Sequence, residues 1–484
     1  MTSNTGQISG IDQITVQRLS EAQVNGEGGL KETFVLPLVA TGFSSDTSFF
    51  SGALAPGEYR VYSFSDKKTK KILQIPQHSR LLGNFVVKGD KPVDLGRLIM
   101  TPMQFSVVYG RSMTTPSNLP LLERFAPEYA KLLAGAVDSG WKVAASSAPA
   151  PGAVEMYALG RPVGASCVTE LADGRVVAAS RLGAVLIRST GGTWSAVRGP
   201  GIESLLCVTP TTEPGAELVA MGEFGTLLRK PEGVNQLLPV DTGNLPPGRI
   251  LRLYGDARTG WVLALERSQE ISLFHSATLQ AGNWSLIRKE DISAAPWGYS
   301  TDFFMWRTAN GFAYALTGGV IHFYDLASKA WTERPIPNKA SRLKLAHGPS
   351  GALLALTIPG PEMGALFTSM FISKDQATSW QPMSSPFSVT HRLPAQTADG
   401  TLLIPGGLNG TELQGSKDDG RTWARVGGYD IDRTLFPLRS GTLIDYDNGK
   451  WGVFSIRRST DGGKTWVAEH DNARRRADEK PQGM

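Results

Sequence analysis

Between residues 31 and 112 the chain alternates apolar and polar positions in short runs, at 33–39, 58–64, 71–75, 83–87, 93–99 and 104–109. A period of two reads as β-strand, and turn signals such as Ala55-Pro56-Gly57 and Lys88-Gly89-Asp90 separate the runs. About six strands in so few residues predict a small β-sandwich. The period then changes. Ser117-Asn118 can cap a helix in which Leu121, Leu122 and Phe125 share a face, and Pro127 opens a second one carrying Tyr129, Leu132 and Leu133. An Ala/Ser/Pro-rich run closing at Gly152 has a linker's composition, so 113–152 reads as a short helical segment and linker. Residues 1–30, rich in glycine and serine, are expected to be a flexible start.

From 153 to 470 short strands return in a longer repeat. Trp466, Trp423, Trp380, Trp331, Trp284 and Trp194 stand 43, 43, 49, 47 and 90 residues apart. The last gap is two periods, and the missing tryptophan falls near Gln236, where Gly225-Thr-Leu-Leu-Arg229 preserves the approach. Such a period is that of four-stranded propeller blades, and the spacing predicts seven. The fold expected is therefore all-β: a seven-bladed β-propeller preceded by a small β-sandwich and a short helical linker, with 471–484 a polar tail. Gly140-Trp141-Lys-Val143 copies the tryptophan pattern and is expected to lend a strand to propeller closure.

Two repeats are sharply spelled, Ser416-Lys-Asp418-Asp-Gly420-Arg-Thr422-Trp423 and Ser459-Thr-Asp461-Gly-Gly463-Lys-Thr465-Trp466, and Ser373-Lys-Asp375-Gln-Ala-Thr378-Ser-Trp380 is eroded. The pattern S-x-D-x-G-x-T-W resembles the Asp-box of sialidase-like (BNR) β-propellers. With Gly183-Ala-Val-Leu-Ile-Arg188-Ser189 before a box, it is similar to propellers of the photosystem II assembly and stability factor type. The resemblance implies structural roles for Asp375, Trp380, Asp418, Gly420, Trp423, Asp461, Gly463 and Trp466. The aspartate accepts hydrogen bonds within a turn, the glycine takes φ > 0 and the tryptophan packs between blades. Leu54-Ala-Pro56-Gly57-Glu-Tyr59-Arg-Val61, Phe85-Val-Val-Lys-Gly89 and Val93-Asp-Leu95-Gly96 resemble small sandwich modules of bacterial surface lipoproteins and carboxypeptidase-type regulatory domains.

Composition adds limits. Of 484 residues, 41% are hydrophobic and 19% charged, the balance of a globular chain, and no apolar run is long enough to span a bilayer as a helix. The net charge of +5, with no basic stripe interleaved with aromatics, does not suggest nucleic-acid binding. Cys167 and Cys207 each open a Cys-Val-Thr triplet at equivalent places in neighbouring repeats, a separation usually too wide for a disulfide, so both are expected to be buried free thiols. The six histidines are scattered singly, so neither a metal nor another cofactor is expected. No charged n-region and apolar segment begins the chain. A periplasmic or outer-membrane-associated location, with a lipid anchor, is expected if a leader has been removed, and a cytoplasmic one otherwise.

Sialidase chemistry needs an arginine triad, a tyrosine–glutamate pair and an acidic residue, and no such set is assignable. The expected function is a non-enzymatic binding protein holding a protein partner on a propeller face, with the bacterial envelope as the expected setting, as an assembly factor, adhesion component or effector-neutralising protein. The alternatives are a carbohydrate-active enzyme of sialidase-like type and a lectin-like glycan binder. The turns between each blade's second and third strands should ring the face opposite the Asp-boxes, and loops on rigid scaffolds often carry binding. The candidate partner-binding residues there are Arg181, Glu223, Arg267, Glu362, Asn409, Asp445, Tyr446, Asp447 and Trp451. Tyr446 and Trp451 are expected to be exposed aromatic anchors.

Overall fold

The computed structural model describes residues 1–3, 11–19, 32–40, 44, 46–66, 70–75, 82–89, 91–103, 106–133, 135, 140–142, 152–292, 303–316, 319–339, 342–358, 368–387, 392–406, 411–447 and 454–472. Its N-terminal part holds β1 (Thr2–Ser3), β2 (Gln13–Arg18), β3 (Thr33–Ala40), β4 (Phe49–Phe50), β5 (Gly57–Asp66), β6 (Lys71–Gln74), β7 (Asn84–Val87), β8 (Leu98–Met103) and β9 (Ser106–Arg111). One sheet runs β4-β3-β2-β5-β6 with β7 also paired to β5, and the other runs β1-β8-β9. Ile14, Val16, Tyr59, Val61 and Phe64 from the first sheet close on Leu98, Met100 and Tyr109 from the second, which makes a sandwich. The expected flexible start instead supplies β1 and the central strand β2. Ile14 and Val16 alternate inward there, so a six-residue run of period two sits in a segment whose composition reads as tether.

Helices α1 (Leu119–Phe125), α2 (Pro127–Leu132) and α3 (Ala153–Gly160) follow. The Asp94 carboxylate holds the approach to α1, accepting from Ser117 Oγ and Asn118 N, both at 2.7 Å. Trp141 does not serve the propeller. It bridges to Phe85 in β7 and donates Nε1 to the Leu95 carbonyl at 2.9 Å, so its segment extends the sandwich.

Among the described residues, seven four-stranded antiparallel sheets occupy 166–198, 205–239, 249–291, 303–335, 342–383, 395–428 and 433–471, each with its strands in chain order. From the first sheet to the fifth, and again between the sixth and seventh, first strands of successive sheets touch one another, so they line the axis. Second strands such as Val176–Ala179 are buried on both faces, because alternate side chains pack against opposite neighbours. Val177 and Ala179 join Leu205, Val208 and Leu218 of the second sheet, whereas Val176 and Ala178 join Ile444, Phe454 and Ile456 of the seventh. The ring therefore closes by packing the last sheet on the first. Glu469 clasps that seam, accepting from Arg188 Nε and Nη2 at 2.6 and 2.8 Å, Arg458 Nε at 2.6 Å and Trp194 Nε1 at 3.1 Å.

The turns before the outer strands explain the repeated motif. Asp418 accepts from Thr422 N at 2.9 Å, Thr422 Oγ1 at 2.6 Å and Ser416 Oγ at 2.8 Å, while Gly420 N donates to Ser416 Oγ at 2.9 Å. Asp461 and Asp375 repeat the arrangement with Thr465 and Ser379. Gly420 and Gly463 have φ of 78° and 96°, and Ala377 accepts φ of 67° at the glycine position of the eroded copy. Trp423 and Trp380 reach back to donate Nε1 to Ser384 and Pro335 carbonyls of the preceding repeat, and Trp466 packs at the junction of the last two sheets. Where the tryptophan is lost, the outer strand shrinks to Leu238–Pro239.

The expectation of free thiols is overturned. Cys167 and Cys207 form a disulfide between the first strands of the first two sheets, with Cα atoms 4.9 Å apart. Both strands break register at the cysteines, Cys167 takes φ of 49°, and Ser166 Oγ donates to the Leu206 carbonyl at 2.9 Å. These local irregularities bring together positions that regular blades hold apart.

Candidate functional site

The described turns joining second to third strands, those of the first three sheets, lie at the opposite end of the strands from the Asp418 and Asp461 turns, and at the first two sheets they meet the sandwich. In the first, Leu182 and Gly183 have φ of 52° and 65°, and a Cβ on Gly183 would stand 2.3 Å from the Gly201 carbonyl oxygen. Only glycine fits that close approach. The turn presents Arg181, whose Nε donates to Asp46 Oδ2 at 3.0 Å, and Ser204 Oγ donates to the same oxygen at 2.7 Å.

In the second sheet a single 3₁₀ turn, Glu223–Gly225, does the same work. Glu223 is fully buried, and its carboxylate accepts from Ser44 Oγ at 2.5 Å and from Asp46 N at 3.4 Å. Phe224 takes φ of 53° and inserts between Phe49 of β4 and Phe125 of α1, with centroids 6.0 and 5.1 Å away and nearly perpendicular planes. Edge-to-face aromatic pairs of this kind add to the area they bury. Beside them the fully buried Arg97 donates Nη1 to Glu203 at 2.9 Å across the same junction. Ile99 of β8 and Ala158 of α3 pack on Leu182 and Ile202 of the ring. The sandwich is thus fastened to one sector of the face by ion pairs, a buried carboxylate and an aromatic wedge. A cleft of about 410 Å³ opens alongside, lined by Leu121, Arg124, Glu203 and Phe224, and burial lowers the Arg124 pKa.

The remaining candidates divide. Arg267 is exposed at the end of the third sheet's second strand. Asp445, Tyr446 and Asp447 belong to a strand, not to the turn between second and third strands where they were expected. Asp445 is fully buried between Arg433 and Arg457, at 2.8 and 2.6 Å, and Arg457 also covers Trp466 at 5.2 Å. Tyr446 is buried rather than exposed, stacked on Phe436 at 5.4 Å, and burial raises its pKa. Asp447 is half-buried, with Arg433 at 3.9 Å. Glu362, Asn409 and Trp451 lie outside the described residues. The sequence reading found the two gripping turns but missed Asp46, Ser44 and Phe49, because nothing in a local pattern tells which distant segment will meet a turn. Among the described residues no group of three or more His, Cys, Asp or Glu side chains could hold a metal ion, and no helix is long and apolar enough to cross a membrane.

No family model and no curated protein matches the chain. Among solved structures it is similar to YCF48 bound to D1 peptide, at 16% identity over 55% of this chain and 82% of that one with a TM-score of 0.40. YCF48 from Cyanidioschyzon merolae is 14% identical over 62% of this chain and 96% of that one, with a TM-score of 0.42. The WD40 β-propeller domain of Doa1 is 12% identical over 62% and 95%, with a TM-score of 0.39. The β-propeller is read from the chain's own four-stranded sheets and from the packing of the last of them on the first.

Proposed function

We propose that the chain is a binding scaffold that holds a protein partner on the face carrying its second-to-third strand turns. The observation that supports this is the grip those turns already exert on a protein segment. Arg181, Glu223 and Phe224 hold Ser44, Asp46 and Phe49 of the chain's own sandwich by side-chain pairing, capture of a backbone N–H and an aromatic wedge. Protein interfaces use the same combination of a buried aromatic anchor and a polar rim. In this reading the first two sheets are occupied in cis, and the sector from the exposed Arg267 turn round to the seventh sheet receives the partner.

The repeated Ser-Asp-Gly-Thr-Trp turns belong, in the same reading, to the Asp-box class, and their aspartates serve the fold. A place in an oxidising compartment such as the bacterial envelope is supported by the Cys167–Cys207 disulfide, since such bonds persist mainly outside the reducing cytosol. The test is affinity capture from the native source followed by titration of the captured protein with variants. Trp451→Ala should weaken binding by about 2 kcal/mol with little change in melting. Asp418→Ala on the opposite face should lower melting and leave affinity intact. Loss of affinity with Asp418→Ala alone would refute the face assignment. Sugar release from sialosides by the purified protein would favour the carbohydrate-active alternative instead.

A further inference from the structure

The sandwich carries an apolar groove that shares Phe49 and Leu122 with its contact on the ring. It has a volume of about 840 Å³, within the range of sites for small organic ligands. Val16 and Leu36 of the large sheet and Leu98 of β8 form its floor, and Val87, Leu132 and Leu133 stand on its walls. The three-stranded β1-β8-β9 faces a six-stranded sheet, and α1 and α2 add Leu122, Tyr129 and Leu132 to the lining. Leu132 is 64% exposed on the lip, an apolar side chain facing open space.

Charged side chains in the lining are few, and the Met1 amine that also reaches the groove donates to the Ser48 carbonyl at 2.8 Å. Lys88 and Lys91, in the connection from β7 to β8, line the groove and are both exposed, and neither meets a carboxylate among the described residues. The carboxylate that lines the groove near them, Asp94, is turned to Ser117, Asn118 and the Gly96 N–H. A long apolar trough with two unneutralised ammonium groups at its mouth matches one class of molecule: a single-chain amphiphile with an anionic head. Burying its methylenes supplies roughly 0.8 kcal/mol each, and the lysines choose the head.

We propose that this groove binds the acyl chain of a fatty acid or a similar anionic single-chain lipid, with Lys88 and Lys91 at the head group. The groove is lined from the sandwich and from α1 and α2, and the proposal stands whether or not the propeller face holds a protein.

The experiment uses the full-length protein and cis-parinaric acid, whose fluorescence rises when its chain leaves water. Saturable binding is expected, with displacement by palmitate roughly tenfold better than by its uncharged alcohol, because exposed ion pairs contribute modestly. Lys88→Ala combined with Lys91→Ala should erase that preference. Val87→Trp should fill the groove and abolish binding, and Leu132→Glu, a change at an exposed lip that leaves folding intact, should weaken the acid more than the alcohol. Absence of parinarate binding to the wild-type protein would overturn the proposal, as would unchanged binding in folded Val87→Trp and Leu132→Glu variants. Equal displacement by acid and alcohol would overturn the assignment of an anionic head.

Discussion

Glu469 offers a sharp test of how the ring is closed, because one carboxylate joins the first and last sheets. Its side chain is 7% exposed, Arg188 is 13% exposed, and Arg458 is 31% exposed. Both carboxylate oxygens are used: Arg188 binds bidentately, Arg458 shares one oxygen and Trp194 the other. The arginine hydrogen bonds outweigh the cost of burial and hold the Glu469 pKa below its ordinary value. In Glu469→Ala, Arg458 can turn to water, but Arg188 is left enclosed against the seam without a counter-ion. Breaking a buried pair in this way costs about 3–5 kcal/mol, and the partial exposure of Arg458 places the expectation near the lower figure. Urea unfolding followed by tryptophan fluorescence measures it, and a double-mutant cycle with Arg188→Ala should return a coupling of about 2 kcal/mol. A loss below about 1 kcal/mol with an unchanged denaturant slope would show that apolar packing closes the ring alone and that the clasp is incidental.

Other consequences follow from particular contacts. Removing the Cys167–Cys207 bond, which closes a loop with a sequence separation of 40, should destabilise the chain by about 4 kcal/mol in the chain-entropy account, read as the difference between urea curves with and without reductant. The hydrogen-bonded carboxylates of Asp375 and Asp418 have pKa values lowered from 3.8 to about 2, and Asp461 is lowered further. Their contribution is therefore complete above the unfolded value and lost as pH falls from about 4 to 2, so the triple Asp→Asn variant should show a flatter acid limb in thermal melts. Phe224→Ala should cost about 3–5 kcal/mol at the junction, freeing the sandwich for limited proteolysis while the ring stays resistant. Equal susceptibility of both parts would place Phe224 in the ring's own stability.

Much of the fold was legible because each repeat carries a local mark. The tryptophan spacing places the outer strands, and the Asp418 and Asp461 turns form from residues within seven of one another. Strands β3, β5, β6 and β7 fall where period-two alternation sets them. The failures share a cause. Tyr446 and Asp445 sit beside glycine and asparagine and read as loop, but the second strand of a sheet is buried on both faces, and Arg433 and Arg457 neutralise the aspartate that lands there. The cysteine pair depends on two register breaks that no composition reveals. Trp141 carries the repeat's signature yet bonds to the sandwich, since a tryptophan followed two residues later by valine specifies a strand end and not its partner. Of the gripping contact, Arg181 and Glu223 were visible as turn residues and Asp46 was not, because the pairing spans 135 residues.

The claim that the open sector of this face binds a protein is tested most directly by site-specific photocrosslinking in the native source. A benzophenone side chain would replace Arg267 on that face, or Lys464 on the face of the aspartate turns, which is exposed in the structure. The account predicts one discrete covalent adduct from position 267, the same polypeptide as that recovered by affinity capture, and none from position 464. The same adduct from 464 with none from 267 would contradict it.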